Sequence, residues 1–94
     1  MWARVARFDG DPETVDDRIA RLQAMVDEGD LPADLAGARL MLLVDRGSGG
    51  MLGVTLFETE DAMRKGDAAM NQGAGRAGTR SAVEFYEVPI NQAM

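Results

Sequence analysis

A glycine-rich segment near the C-terminus has the spacing of a nucleotide-binding motif. Residues 73–78, Gly-Ala-Gly-Arg-Ala-Gly, match the G-x-G-x-x-G pattern letter for letter. That pattern binds a dinucleotide when a strand precedes it and a helix follows it, because the N-terminus of the helix then meets the pyrophosphate. Here a predicted helix precedes the glycines and a predicted strand follows them. We therefore expect a flexible connection, or a lid, rather than a nucleotide site.

The absence of two residue types narrows the possible chemistry further. The 94 residues include no histidine and no cysteine. A Ser-His or Cys-His nucleophile therefore cannot form, and the ordinary protein ligands of zinc and haem are missing. Without cysteine there is also no disulfide framework, and we expect a cytoplasmic protein for that reason.

Two groups of carboxylates could in principle bind a hard cation. Asp16 and Asp17 form one group, and Glu58, Glu60 and Asp61 form the other. Both groups lie at or near predicted helix starts, where acidic side chains interact favourably with the helix dipole. We therefore expect them to stabilise helices rather than to hold a metal ion.

The charge and the distribution of apolar residues argue against two classes of partner. The net charge is −6, and the ten basic residues are scattered along the chain. Binding to a phosphate backbone needs clustered basic residues, so no nucleic-acid partner is expected. No apolar run approaches the roughly 18 residues that span a bilayer, and the N-terminus lacks the basic-then-apolar order of a secretory signal. No membrane partner is expected either.

The first helix is predicted from its start signal and its apolar spacing. Asp11, Pro12 and Glu13 place a capping carboxylate, a proline and an acidic first turn in the order typical of a helix start. Apolar residues then follow at i, i+4, i+7 and i+11, so one stripe of a helix is expected, ending near Gly29. The stripe comprises Val15, Ile19, Leu22 and Val26.

Four strands and a second helix are predicted in addition to the first helix. The predicted strands span residues 2–8, 40–44, 51–58 and 82–90. A hairpin connection is expected at residues 46–50 and a second helix at residues 60–71. The order β-α-β-β-α-β is that of ferredoxin-like α+β folds, with a four-stranded antiparallel sheet and both helices on one face. Residues 1–90 are expected to form one domain, followed by a short tail at residues 91–94.

The third strand is apolar on both of its faces. Leu52, Val54 and Leu56 alternate with Gly53, Thr55 and Phe57. If one face meets the helices, the other would expose several aliphatic side chains together, and soluble monomers avoid such patches. We therefore expect a homodimer in which the sheet of one protomer faces the sheet of its partner.

The sequence also resembles a family. The likeness lies in residues 3–8, 10–13, 42–45, 53–58 and 60–63. These segments resemble the antibiotic-biosynthesis-monooxygenase-like proteins of the dimeric α+β-barrel superfamily. The resemblance implies two ferredoxin-like protomers that close a barrel, and a ligand cavity in each protomer between the sheet and the helices. Members include cofactor-independent oxygenases of aromatic polyketides, haem-degrading enzymes and many proteins without known activity.

Haem degradation is not expected here. The haem-degrading relatives use an asparagine on the first strand, a tryptophan on the third and a histidine late in the second helix. The matching positions hold Ala6, Phe57 and the glycines around Gly73. Trp2 lies too early in the first strand to replace the missing tryptophan. No haem, flavin, metal or other cofactor is therefore expected.

Cofactor-free oxygenation remains possible, because an electron-rich phenol or enol can itself supply electrons to oxygen. The protein then has to bind the substrate in a dry site and favour its anion. By the resemblance, the cavity would have Arg4, Thr55 and Phe57 on its floor, with Arg4 stabilising a phenolate. Its wall would comprise Val15, Ile19 and Leu22 of the first helix together with Met63 and Met70, while Asn71 or Tyr86 would donate a hydrogen bond.

Each of these residues also has a structural interpretation. Arg4 could pair with Glu84 across neighbouring strands, the methionines could be ordinary core residues, and Tyr86 could lie at the dimer interface. Two functions therefore stay open. One is a cofactor-independent monooxygenase that acts on a hydrophobic aromatic molecule. The other is a non-catalytic dimeric module that binds a small apolar ligand.

Overall fold

The computed structural model describes residues 1–29, 32–71 and 79–94 of the chain. Its strands are β1 (Trp2–Asp9), β2 (Arg39–Val44), β3 (Met51–Phe57) and β4 (Thr79–Glu87). Its helices are α1 (Val15–Asp27) and α2 (Glu60–Asn71), with short 3-10 turns at Pro12–Thr14 and Ala33–Leu35. Within the described ranges, no helix is long and apolar enough to cross a membrane.

The four strands form one antiparallel sheet in the order β2-β3-β1-β4. β1 and β3 are the central strands. The edge strands are β2 and β4, and each of them follows a helix in the chain. The predicted ferredoxin-like α+β fold and its order of elements are confirmed.

The start of α1 is built as its sequence predicts. The Asp11 side chain accepts a hydrogen bond from the backbone nitrogen of Glu13 at 2.9 Å, and Pro12 opens the 3-10 turn that leads into the helix. The carboxylate thus satisfies a backbone donor that has no partner within the helix. Along the apolar stripe, Val15 is buried, whereas Val26 near the other end is exposed.

A buried arginine that the sequence analysis did not single out connects two loops. Arg18 of α1 donates through Nη2 to the carbonyl oxygens of Asp11 at 3.1 Å and Gly49 at 2.7 Å. Asp11 belongs to the β1–α1 connection, and Gly49 belongs to the β2–β3 hairpin. Because the acceptors are backbone carbonyls, Arg18 holds the hairpin against the start of the first helix.

The register of the sheet assigns each residue to a face. Arg4 pairs with Thr55, and Trp2 pairs with Phe57. Arg4 and Thr55 are each 2 % exposed, because α2 covers this side of the sheet. Side chains two residues apart share a face, so Phe57 lies on the covered face as well, in agreement with the sequence pattern.

The opposite side of the sheet carries apolar side chains that no helix covers. We call this side the open face, and its larger apolar residues are Val5, Met41, Leu43, Leu52, Val54 and Leu56. Met41 and Leu43 are 42 % and 46 % exposed, and the other four are half-buried. The prediction that Leu52, Val54 and Leu56 point away from the helices is confirmed.

The last strand differs from its prediction. The structure places β4 at Thr79–Glu87 instead of residues 82–90. At one end, Glu87 pairs with Trp2, the first residue of β1, and only the backbone nitrogen of Val88 continues to the oxygen of Met1. Pro89 then has no backbone N–H to donate. At the other end, an irregularity between Arg7 and Phe8 in β1 extends the pairing to Thr79.

The glycine at the hairpin tip yields a test of this packing. Gly49 has φ of +81°, and a Cβ there would lie 2.3 Å from the backbone oxygen of Gly10. Gly37 also has φ of +81°, but a Cβ there would meet nothing within 4 Å. Gly37→Ala should therefore lower the free energy of unfolding by about 1–2 kcal/mol, the cost of a left-handed conformation. Gly49→Ala should cost about 1–3 kcal/mol more, because the backbones must also separate.

Urea unfolding of both variants measures the difference. Equal losses at the two positions would show that the hairpin tip is not packed against the β1–α1 connection.

Candidate functional site

A buried ion pair lies between the sheet and the second helix. Arg4, in the middle of β1, donates through Nε to Oδ1 of Asp67 on α2 at 2.8 Å. The side chain of Arg4 is 2 % exposed and that of Asp67 is 24 % exposed. A guanidinium removed from water to this extent requires an anionic partner, because its desolvation costs several kcal/mol. Asp67 provides that partner.

The remaining contacts of Arg4 are to weaker acceptors on the same helix. Nη1 lies 3.6 Å from the sulfur of Met70, and Nη2 lies 3.3 Å from Oδ1 of Asn71. Residues 67, 70 and 71 are separated by three and four positions, so they share one face of α2. Thr55, the sheet neighbour of Arg4, also directs its hydroxyl to the Met70 sulfur, at 3.8 Å.

A second arginine joins this group from the start of β4. Arg80 donates through Nη1 to the same Oδ1 of Asn71, at 2.6 Å. We call Arg4, Asp67, Met70, Asn71 and Arg80 the arginine cluster. It contains two guanidinium groups and one carboxylate, so it carries an excess positive charge on a chain whose net charge is −6. The cluster runs from the buried Arg4 to the exposed Asn71.

The apolar residues beside the cluster are closely packed. Phe57 and Met63 are buried, and a Cβ at Gly66 would lie 2.5 Å from Cζ of Phe57. Gly66 therefore lets α2 approach the ring. Phe57 and Met63 occupy core positions next to the cluster, whereas Met70, a member of the cluster, is half-buried and contacts Arg4.

The covered face of the sheet is less completely filled near β2. Leu40 pairs with Thr55 and so lies on the same face as Arg4, yet it is 43 % exposed. Leu42 on the same strand is half-buried, as are Ile19 and Leu22 of α1. Leu40 and Leu42 therefore leave an incompletely covered apolar surface on β2 next to Thr55.

Tyr86 and Glu84 lie elsewhere. In the register of the sheet Tyr86 pairs with Ala3 and Glu84 pairs with Val5, which places both on the open face. The Tyr86 hydroxyl donates to Oε2 of Glu84 at 2.8 Å, and Arg7 donates to Oε1 of the same carboxylate. The expectation that Tyr86 shares a cavity with Arg4 is wrong, and so is the alternative pairing of Arg4 with Glu84. The partner of Arg4 is Asp67.

The hydrogen bonds that Arg7, Glu84 and Tyr86 form with one another shift the pKa values of Glu84 and Tyr86. The hydrogen bond from Arg7, followed by that from Tyr86, lowers the pKa of Glu84. Donation to that carboxylate raises the pKa of Tyr86. Tyr86 therefore stays a neutral phenol at neutral pH, and the group contributes polar contacts to the margin of the open face.

A groove of about 380 Å³ lies at the hairpin end of the sheet. Its lining includes Arg7, Leu43, Asp45, Ser48 and Ser81. None of the seven residues predicted from the sequence to bind a ligand borders it. The groove is therefore separate from the arginine cluster.

Acidic residues at the start of each helix form ion pairs with cationic side chains. Asp16 forms an ion pair with Arg46 at 2.9 Å, and Asp61 forms one with Lys65 at 3.1 Å. Asp16 and Asp61 lie in the first turns of their helices, as expected. Over residues 1–29, 32–71 and 79–94, no group of three or more acidic side chains is arranged to hold a metal ion. The glycine motif at residues 73–78 lies outside the described residues.

Sequence reasoning therefore found part of the cluster and missed part of it. The structure brings Arg4, Thr55, Met70 and Asn71 together, and Phe57 and Met63 pack beside them. Asp67 was missed although helical spacing places it on the same face as Met70. Arg80 was missed because no local pattern links the start of β4 to the end of α2.

Comparison with solved structures is consistent with this architecture. The chain is similar to the structure of Rv0793 from Mycobacterium tuberculosis, with 21 % identity, a TM-score of 0.60, and coverage of 99 % of this chain and 98 % of that one. It is also similar to a protein from Chloroflexus aurantiacus J-10-fl described as a candidate antibiotic biosynthesis monooxygenase. There the identity is 12 %, the TM-score is 0.55, and 99 % of this chain and 96 % of that chain are covered.

At these identities the likeness concerns the fold. No protein-family model matches the chain, and no curated protein sequence is significantly similar to it. The predicted resemblance to antibiotic-biosynthesis-monooxygenase-like proteins is confirmed at the level of the fold, over nearly the whole chain.

Substitutions of the ion pair test its burial. Asp67→Asn should lower the free energy of unfolding by about 3 kcal/mol, because the buried Arg4 cation loses its carboxylate. The double variant Arg4→Met with Asp67→Leu removes both charges and should recover most of this loss, since apolar side chains of similar size can replace a buried pair. Asp61→Asn, at an exposed i,i+4 pair, is the control and should change stability by less than about 0.5 kcal/mol.

Urea unfolding of the three variants provides the comparison. An effect of Asp67→Asn no larger than that of Asp61→Asn would show that Arg4 does not depend on Asp67.

Proposed function

We propose that this protein is a cofactor-independent monooxygenase that acts on a hydrophobic aromatic phenol or enol. The observation that supports this proposal is the ion pair of Arg4 and Asp67, which places a carboxylate and a cation side by side next to apolar side chains. The similarity of fold to a candidate antibiotic biosynthesis monooxygenase agrees with it, without identifying a substrate.

In the proposed reaction the two charged groups act on the substrate in turn. The Asp67 carboxylate accepts the proton of the substrate hydroxyl, and the Arg4 guanidinium stabilises the phenolate or enolate that remains. The electron-rich anion then reduces O₂ and forms a carbon–oxygen bond at an activated C–H carbon. Loss of water from the resulting hydroperoxide leaves a carbonyl group. One oxygen atom of O₂ enters the product, the other leaves as water together with two hydrogens of the substrate, and the substrate supplies all the electrons.

The apolar surface beside Thr55 is the proposed place for the aromatic rings. Leu40 and Leu42 of β2 lie on the covered face, and their incomplete burial leaves apolar area for a ligand to cover. Rings bound there would exclude water from the reacting anion, which strengthens its attraction to Arg4. Met70 is unbranched and flexible, so it can adjust to the shape of the ligand.

A second candidate function is a non-catalytic module that binds a small apolar ligand. The packing of Phe57 and Met63 favours it, because these two residues are buried core and Gly66 brings α2 directly onto the Phe57 ring. A module would bind the same aromatic compounds and leave them unchanged. Turnover therefore separates the two functions.

We further propose that the protein is a homodimer whose protomers meet through their open faces. Burial of each aliphatic side chain of such a face contributes about 1.5–3 kcal/mol. Met41 and Leu43 are the most exposed of these residues and would gain most from a partner. The group of Arg7, Glu84 and Tyr86 would then border the interface.

Oxygen incorporation tests the enzymatic function. Incubation of the protein with naphthols and other fused-ring phenols or enols under isotopically labelled O₂ should give a product with one labelled oxygen atom, as measured by mass spectrometry. The double variant Arg4→Met with Asp67→Leu should lower the rate at least about 100-fold, the usual contribution of a positioned acid–base group. Arg46→Met, at an exposed ion pair on the hairpin away from the cluster, is the control.

Binding without incorporation of label would support the non-catalytic module instead. Equal rates in the double variant and the Arg46→Met variant would contradict the roles of Arg4 and Asp67.

Sizing chromatography with light scattering tests the dimer. Val54→Lys should give a monomer or an aggregate, because it places a charge in the middle of the open face. Val26→Lys makes the same change at an exposed position on α1 and should leave the dimer intact. A folded monomer for the unmodified chain would contradict this proposal.

A further inference from the structure

One oxygen atom in the arginine cluster serves two guanidinium groups. Oδ1 of Asn71 accepts from Nη2 of Arg4 at 3.3 Å and from Nη1 of Arg80 at 2.6 Å. Both donors are cations, and the acceptor is a neutral amide. An anionic oxygen at this position would form stronger, charge-assisted hydrogen bonds with both of them.

The two terminal nitrogens of Arg4 are also poorly matched to their present acceptors. The carboxylate of Asp67 binds through a single oxygen at Nε. Nη1 and Nη2, which together fit a carboxylate in a bidentate arrangement, instead contact a thioether and an amide. In the described part of the chain, Arg4 thus meets one carboxylate oxygen and two neutral acceptors.

The position of the cluster gives a ligand access to these nitrogens. Arg4 is buried, Arg80 is half-buried, and Asn71 is exposed at the last position of α2. The Met70 side chain is half-buried and flexible, so its sulfur can be displaced from Nη1. A ligand can therefore approach the terminal nitrogens of Arg4 from the side of Asn71 and Arg80.

We propose that the terminal nitrogens of Arg4, together with Arg80, bind the carboxylate of the substrate, and that the substrate class is an aromatic acid with a hydroxyl group ortho to its carboxylate. The carboxylate would replace the Met70 sulfur and the Asn71 oxygen as the acceptor. The neighbouring hydroxyl would then lie near the Asp67 end of the same guanidinium. This inference rests on the proposed function for the role of Asp67, and it adds Arg80 as a residue that determines specificity.

Calorimetric titration with matched ligands tests the proposal. The probes are an ortho-hydroxynaphthoate and its carboxamide, which differ in charge but hardly in shape. The unmodified protein should bind the acid about 10-fold to 100-fold more tightly than the amide, as expected for charged hydrogen bonds. Arg80→Met should reduce this preference about 10-fold, whereas Arg46→Met, a matched control distant from the cluster, should leave it unchanged.

Asn71→Asp provides an independent test. The substitution keeps the shape of the side chain and places a carboxylate between the two guanidinium groups, so it should raise the Tm and abolish the preference for the acid. Circular dichroism establishes that each variant is folded before titration. An unmodified protein that binds both probes equally, or binds neither, would overturn the proposal. An unchanged preference in folded Arg80→Met and Asn71→Asp would overturn it as well.

These outcomes are distinct from a failure of the oxygenase proposal. A preference for the acid that depends on Arg80, without any oxygen incorporation, would support the carboxylate site and contradict the enzyme. Oxygen incorporation into neutral phenols, with no preference for the acid, would support the enzyme and contradict the carboxylate site.

Discussion

The burial of the Arg4 guanidinium is the constraint on which much of this structure depends. A cation between a sheet and a helix must be neutralised locally, because water cannot solvate it there. Asp67 meets this requirement, and Met70 and Asn71 fall next to it because they lie three and four positions further along α2. The contact of Arg80 with Asn71 then ties the start of β4 to the end of the same helix. One buried charge thus relates the first strand, the second helix and the start of the last strand.

The chain has a second buried arginine whose surroundings imply a different role. The acceptors of Arg18 include the backbone carbonyls of Asp11 and Gly49 and the hydroxyl of Thr14. Backbone carbonyls cannot rotate away, so these contacts fix the loops in place. The acceptors of Arg4, by contrast, are side chains with rotatable bonds, and one of them is a thioether. A ligand can replace such acceptors without unfolding the backbone, which is why Arg4 is the better candidate for function.

The two faces of the sheet separate two groups of charges that are close in sequence. Arg4 and Arg7 are three residues apart on one strand, and an odd separation places their side chains on opposite faces. Arg4 therefore meets the helix, and Arg7 meets Glu84 and Tyr86 on the open face. In the first group, Asp67 pairs with Arg4 within the covered layer. The second remains accessible to solvent.

The sequence by itself determined the elements and their faces. Alternating apolar residues in β3 and the capping signal at Asp11 act over a few neighbouring residues, so the order of elements, the hairpin and the covered position of Arg4 could be read without a structure. The helical spacing of three positions also predicts that Asp67 lies close to Met70. The tertiary structure decided the features that depend on the register of the strands and on the approach of one element to another. The pairing of Tyr86 with Ala3 removed it from the site. The register irregularity at Arg7 and Phe8 extended β4 to Thr79, and the contact of Arg80 with Asn71 completed the cluster. Such contacts join different elements, and the spacing along the chain carries no information about how those elements approach each other in space.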